Sequence, residues 1–171
     1  MWGMDVIEKR LRELVADWQP RQVILVGDVV DGRAAPDRAI PWLREVEDFC
    51  EELILVKGNH DCGRIIEEFD FVPSFECGEF FFQHGHQEYF EVERADDRGL
   101  IEICGHLHPS HCFNDGAGTS MKMPTFAIEK RPDRILPAFS PWAAGGKFEQ
   151  KTAGSEVKQW ACSAQRVILV E

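Results

Sequence analysis

The stretch Leu53-Ile54-Leu55-Val56-Lys57-Gly58-Asn59-His60-Asp61 sets the reading of the whole chain. Its four apolar residues have the length of a short buried strand. They run into a glycine and then into three side chains able to hold protons or metals. The same pattern occurs three more times. Val23-Ile24-Leu25-Val26 leads into Gly27-Asp28-Val29-Val30-Asp31, Phe80-Phe81-Phe82 into His84-Gly85-His86, and Leu100-Ile101-Glu102-Ile103 into Gly105-His106-Leu107-His108. All six histidines fall between positions 60 and 111, and five of them sit in these motifs. Strand ends that deliver Asp, Asn and His to one place describe a metal site.

Outward from these motifs, residues 5–18 read as an amphipathic helix. Val6, Ile7, Leu11, Leu14, Val15 and Trp18 share its inward face, and Pro20 ends it. Residues 39–51 read as a second helix with Ile40, Leu43, Val46 and Phe49 or Cys50 inward. Fully apolar strands alternating with helices suggest parallel strands covered on both faces. Residues 113–120 read as a loop, and 124–128, 134–138 and 166–170 as strands. Residues 141–163 have the composition of a loop around Gly145-Gly146 and Gly154-Ser155.

A chain of 171 residues is the size of one domain with a real core. Its apolar runs are far too short to span a membrane, and its N-terminus has no signal core, so a cytoplasmic protein is expected. The six cysteines form no Cys-x-x-Cys pair and read as free thiols. A net charge of −11 opposes a broad phosphate-tracking surface. The charge is uneven. Residues 1–120 carry 11 basic against 25 acidic side chains, whereas residues 121–171 carry 8 against 5.

Each motif also has a plainer reading. A Gly-Asp after a strand is usually a turn, and Asp31 could do no more than orient a neighbour. An Asx turn explains Asn59 and Asp61 but leaves His60 unexplained. In the motif, Asp61 can hold the His60 imidazole in one tautomer. Two residues apart on an extended segment, His106 and His108 would lie on the same side. His86 and His111 read as supporting or surface residues.

The order GD…GNHD…HGH…GHLH resembles the calcineurin-like metallophosphoesterases over residues 23–108. The later segments Met123-Pro124-Thr125-Phe126, Leu136-Pro137-Ala138-Phe139 and Gly145-Gly146 are similar to a bacterial and archaeal branch. That branch includes phosphoesterases associated with DNA ligase and helicase genes. The resemblance implies an α/β fold over residues 1–171 as a single domain: a four-layer αββα sandwich of two packed mixed β-sheets with flanking helices. It implies that Asp28 bridges two metals, that Asn59, His84 and His106 hold the second, and that His108 holds the first. It places His60 near the leaving group or scissile phosphate, with Asp61 orienting it, and Asn59 at the substrate; Arg64, just past the motif, is a candidate phosphate contact that the motif itself does not carry. The expected cofactors are divalent transition metals, manganese first and then Fe, Zn, Ni or Co. The expected reaction is hydrolysis of a phosphodiester or phosphomonoester by metal-activated water, on nucleic acid or nucleotides. His-Asp in the second motif, rather than His-Glu, argues against the Ser/Thr protein phosphatase branch.

The family pattern also has an Asp-x-His at the end of a strand before the first helix, and none precedes Asp28 here. The expectation is therefore an N-terminally shortened chain that lacks the first strand and binds one or two metals. Its open sheet edge would suit a homodimer. The rival expectation is a non-catalytic metal-binding or protein-interaction scaffold of the same fold.

Overall fold

The computed structural model describes residues 3–30, 36–86, 98–128, 134–141, 143, 145–147, 157–163 and 165–170. Asp31 lies outside these residues. The chain divides into two compact units, one of Met1–Phe75 with Phe82–His86, the other of Glu76–Phe81 with Gln87–Glu171.

The first unit is built on three parallel strands. Strand β1 (Gln22–Val26) pairs with β2 (Glu52–Val56) in the register Gln22↔Glu52 to Val26↔Val56. The short β3 (Phe71–Val72) pairs with the far side of β2. Because β1 and β2 are in register, their C-terminal ends finish level, and both polar motifs leave the sheet at the same end. Among the described residues, β1 is one edge of this sheet. Helices α1 (Gly3–Trp18), α2 (Pro36–Phe49) and α3 (Arg64–Glu68) complete the unit.

The core of this unit comes from α2. Ala39, Trp42, Leu43 and Val46, spaced three and four apart, are buried and meet Val30, Leu55, Ile65 and Phe69. Leu43 and Ile65 are fully enclosed. Helix α1 buries a narrower stripe than its sequence suggests. Ile7, Leu11 and Val15 face inward, but Val6, Leu14 and Trp18 are exposed, Trp18 by 80%. An i, i+4, i+8 stripe suffices to seat the helix, so the wider apolar band is not all core. Gln19, left-handed with φ 45, ends the helix, and its N–H bonds the Val15 carbonyl.

Among the described residues the larger sheet has nine strands: β4 (Ser74–Cys77), β5 (Phe80–Gln83), β6 (Ile101–Cys104), β7 (Pro109–Asn114), β8 (Ser120–Ile128), β9 (Arg134–Ile135), β10 (Gly146–Lys147), β11 (Lys158–Cys162) and β12 (Val167–Val170). Their order is β10-β7-β8-β9-β6-β5-β4, with β11 also on β8 and β12 on β11. The segment read as a loop at 113–120 does turn, though its ends are strand, and part of 141–163 is strand as well. Residues 109–128 form a hairpin paired from Ser110↔Pro124 to Asn114↔Ser120, so only 115–119 turn. Asp115 sets that turn by accepting the N–H groups of Ala117 and Thr119 at 2.8 and 3.0 Å. Residues 158–162, inside the stretch read as a loop, pair antiparallel with both β8 and β12. Pairing on two sides overrides a glycine- and serine-rich neighbourhood. No described helix is long and apolar enough to cross a membrane.

Candidate metal centre

Strand β1 ends at Val26, and the chain turns sharply through Gly27 and Asp28, with φ of 79° and 52°. A left-handed aspartate is uncommon and costs about 1 kcal/mol or more, so neighbours must hold it there. They do. The Asp28 N–H donates to Asp61 Oδ2 at 2.9 Å, and Asp28 Oδ1 accepts the His60 backbone N–H at 2.9 Å. The other carboxylate oxygen, Oδ2, lies 3.1 Å from Nε2 of His84.

His84 sits just past β5 and is 2% exposed. Its Nδ1 lies 3.0 Å from the Val26 carbonyl, which can only accept, so Nδ1 carries a hydrogen. Its Nε2 then faces two oxygens, Asp28 Oδ2 and, at 3.2 Å, Asn59 Oδ1. Two acceptors aimed at one nitrogen call for a positive charge between them, either a proton or a metal ion. Burial by itself would lower the His84 pKa, but the bonds to Asp28 and Val26 and the nearby carboxylates outweigh it and raise it. Burial likewise works to raise Asp28, yet the His84 and His60 contacts prevail and keep its carboxyl below the ordinary value. A carboxylate oxygen, an amide oxygen and an imidazole nitrogen suit a divalent transition metal. The carbonyl on the far ring nitrogen is the usual support for a metal-binding histidine.

Two glycines make this approach possible. A Cβ at Gly27 would fall within the His84 ring, and one at Gly58 would fall on the Asp28 backbone nitrogen and carboxylate. The sequence marks both glycines as turn formers, but their main use is this close contact.

Asp61 does more than sequence alone suggests. Its carboxylate, 2% exposed, accepts N–H groups from Asp28 (2.9 Å), Val30 (3.2 Å) and Gly58 (2.8 Å). It thus ties the loop after β1 to the loop after β2. Burial is the largest influence on it and raises its pKa in spite of those three bonds. Asn59 and His60 are exposed beside this brace. Arg64, expected on phosphate, has its guanidinium 2.5 Å from Asp37, an exposed ion pair worth no more than about 1 kcal/mol. The half-buried His86 ring stands 5.3 Å from that of His84, as a supporting residue would.

In the second unit, His106 and His108 follow β6 on a bend, not on the extended segment expected. Both are left-handed, with φ of 48° and 43°, and Leu107 N–H bonds the Gly105 carbonyl at 2.5 Å. Leu107 packs on the small apolar cluster of Cys104, Ala127 and Ile135. His111 lies half-buried on β7, with its ring 4.7 Å from that of Phe113.

Among solved structures, a nuclease MPE from Pseudomonas putida matches 97% of this chain and 78% of its own, at 24% identity and a TM-score of 0.67. Vps29 of Entamoeba histolytica, as a single mutant, and Vps29 of Chaetomium thermophilum match at 14% and 11% identity, with TM-scores of 0.46 and 0.43. The first covers 95% of this chain and 87% of its own, the second 94% and 83%. No curated protein matches the sequence. The model of the calcineurin-like phosphoesterases matches residues 1–167, so the chain belongs to that family and has its mixed α/β fold.

Proposed function

We propose that this chain is a metal-dependent phosphodiesterase acting on nucleic acid or nucleotides, with residues 1–171 as one catalytic domain. The observation that carries the reading is the convergence of His84 Nε2 on Asp28 Oδ2 and Asn59 Oδ1, at 3.1 and 3.2 Å. In this reading Asp28, Asn59, His84 and His106 hold one divalent cation, manganese before Fe, Zn, Ni or Co, and His108 serves a second. Such cations, when bound, polarise phosphoryl oxygens and lower the pKa of water. The protein's own groups do the rest. Asn59 and a guanidinium from Arg64, freed from its weak pair with Asp37, orient the phosphate. His60, exposed next to Asp28, donates a proton to the leaving oxygen. The nuclease among the similar structures supports a nucleic-acid substrate. The net charge of −11 favours a short single-stranded or nucleotide ligand over an extended duplex.

The test is metal content of the purified chain by elemental analysis, with hydrolysis of bis-p-nitrophenyl phosphate in added Mn²⁺. Bound metal with Mn²⁺-dependent turnover supports the proposal. Bound metal without turnover on any phosphodiester favours the scaffold alternative, and neither metal nor turnover sinks the metal-centre reading itself.

A further inference from the structure

We propose that the segments around Leu136 and Gly145-Gly146 clamp the His106–His108 turn from both sides, with Ser110 and Lys122 as positioning residues. The idea rests on the metal-centre reading for its functional meaning, and on the second unit's own geometry for its physical content. His106 and His108 are two left-handed non-glycine residues separated by one position. A turn of that kind relaxes unless both of its ends are fixed.

Both ends are fixed by one stretch of chain. On the entering side, β9 pairs parallel to β6, with Ile103↔Arg134 and Cys104↔Ile135, and Leu136 N–H donates to the Cys104 carbonyl at 2.8 Å. On the leaving side, β10 pairs parallel to β7, and Gly146 N–H donates to the His108 carbonyl at 3.0 Å. Two side chains lock that second anchor. Ser110 Oγ donates to the Gly146 carbonyl at 2.8 Å, and the Lys122 ammonium donates to the Gly145 carbonyl. Gly145 itself has φ +48, and a Cβ there would meet Ser110 Cβ at 3.0 Å and the His108 carbonyl at 3.3 Å. A side chain there would be both strained and crowded, so glycine suits the point where the strap crosses the turn. This gives a purpose to Leu136-Pro137-Ala138-Phe139 and Gly145-Gly146, which contribute no metal ligand.

The experiment compares Lys122→Met, Ser110→Ala and Gly145→Ala, with Lys122→Arg as the conservative control. Two readouts are taken: the ring ¹⁵N signals of His106 and His108 in metal-free protein, and the Mn²⁺ dissociation constant. The expected result is displaced or broadened His106 and His108 signals with an unmoved His84 signal. Mn²⁺ binding should weaken about 10-fold or more, the usual consequence of losing outer support for a ligand. Lys122→Arg should restore both. If Ser110→Ala or Gly145→Ala does not fold, Lys122→Met, at an exposed position, decides alone. Unchanged ring signals in Lys122→Met overturn the clamp. Should the wild type bind no Mn²⁺, the metal reading fails, while the ring signals still decide the clamp.

Discussion

Nε2 of His84 stands 3.1 Å from Oδ2 of Asp28, although the two residues lie 56 positions apart in sequence. The Val26 carbonyl fixes which imidazole nitrogen is presented. Replacing His84 by alanine should therefore do more than remove one ligand. It should free the Asp28 carboxylate and leave Val26 without its ring N–H. Mn²⁺ affinity is expected to fall at least about 10-fold, read by titration of water-proton relaxation. Wild-type affinity in His84→Ala would remove this nitrogen from the metal site.

Asp61 offers a sharper contrast. A group that only oriented His60 would cost activity when lost and leave stability nearly intact. A carboxylate that satisfies the N–H groups of Asp28, Val30 and Gly58 should behave otherwise. Asp61→Ala leaves three buried donors unmet at about 1–3 kcal/mol each, so a loss of about 3 kcal/mol or more is expected in urea unfolding. Asp61→Asn, which keeps one acceptor oxygen, should lose less. A stability change below about 1 kcal/mol for Asp61→Ala would return Asp61 to the simpler role.

These residues also mark how far the sequence could be read. The motifs after β1, β2, β5 and β6 were legible because each follows an apolar run of strand length. Parallel pairing brings Asp28 and Asn59 to one sheet end without further assumption. The function of Asp61 was not legible, since a carboxylate beside a histidine invites pairing with it, and backbone donors from a distant loop leave no sequence trace. Nor was the bend at His106 and His108. Alternation predicts an extended segment, and only a clamp from distant residues holds two histidines left-handed. Strand β11 was hidden for a related reason, because its two neighbours stabilise a segment whose surroundings are rich in Gly and Ser.

Gly58→Ala tests the close approach on which the centre depends. The added methyl would collide with Asp28, whose backbone is held in place by Asp61. Because the obstacle is backbone, it cannot swing aside, and a destabilisation of about 1–3 kcal/mol is expected together with weakened Mn²⁺ binding. Alanine tolerated at position 58 with full metal affinity would contradict the geometry.

The hairpin tip makes a separate prediction with a definite sign. The N–H groups of Ala117 and Thr119 hold the Asp115 carboxyl below the ordinary aspartate value. A lowered folded-state pKa means that its stabilising contribution is present above the unfolded value and lost as pH falls through the folded one. The Ala117 and Thr119 amide signals should therefore move together on acidification, with a midpoint below that of an ordinary aspartate. Asp115→Ala should abolish that titration. A midpoint at or above that of an ordinary aspartate would show that the turn does not rest on this carboxylate.

His60 separates chemistry from metal binding. Its backbone N–H holds Asp28 Oδ1, a contact that alanine at this position preserves, while its imidazole is exposed. His60→Ala should thus retain metal close to the wild-type amount while kcat falls about 10²–10⁴-fold, the usual worth of a positioned general acid. The loss should be smallest on esters with a good leaving group such as p-nitrophenolate, which departs without a proton, and largest on nucleotide or alkyl diesters. An equal loss on both kinds of ester would assign His60 to phosphate charge, not to the leaving oxygen. Full activity on every ester would remove it from the reaction.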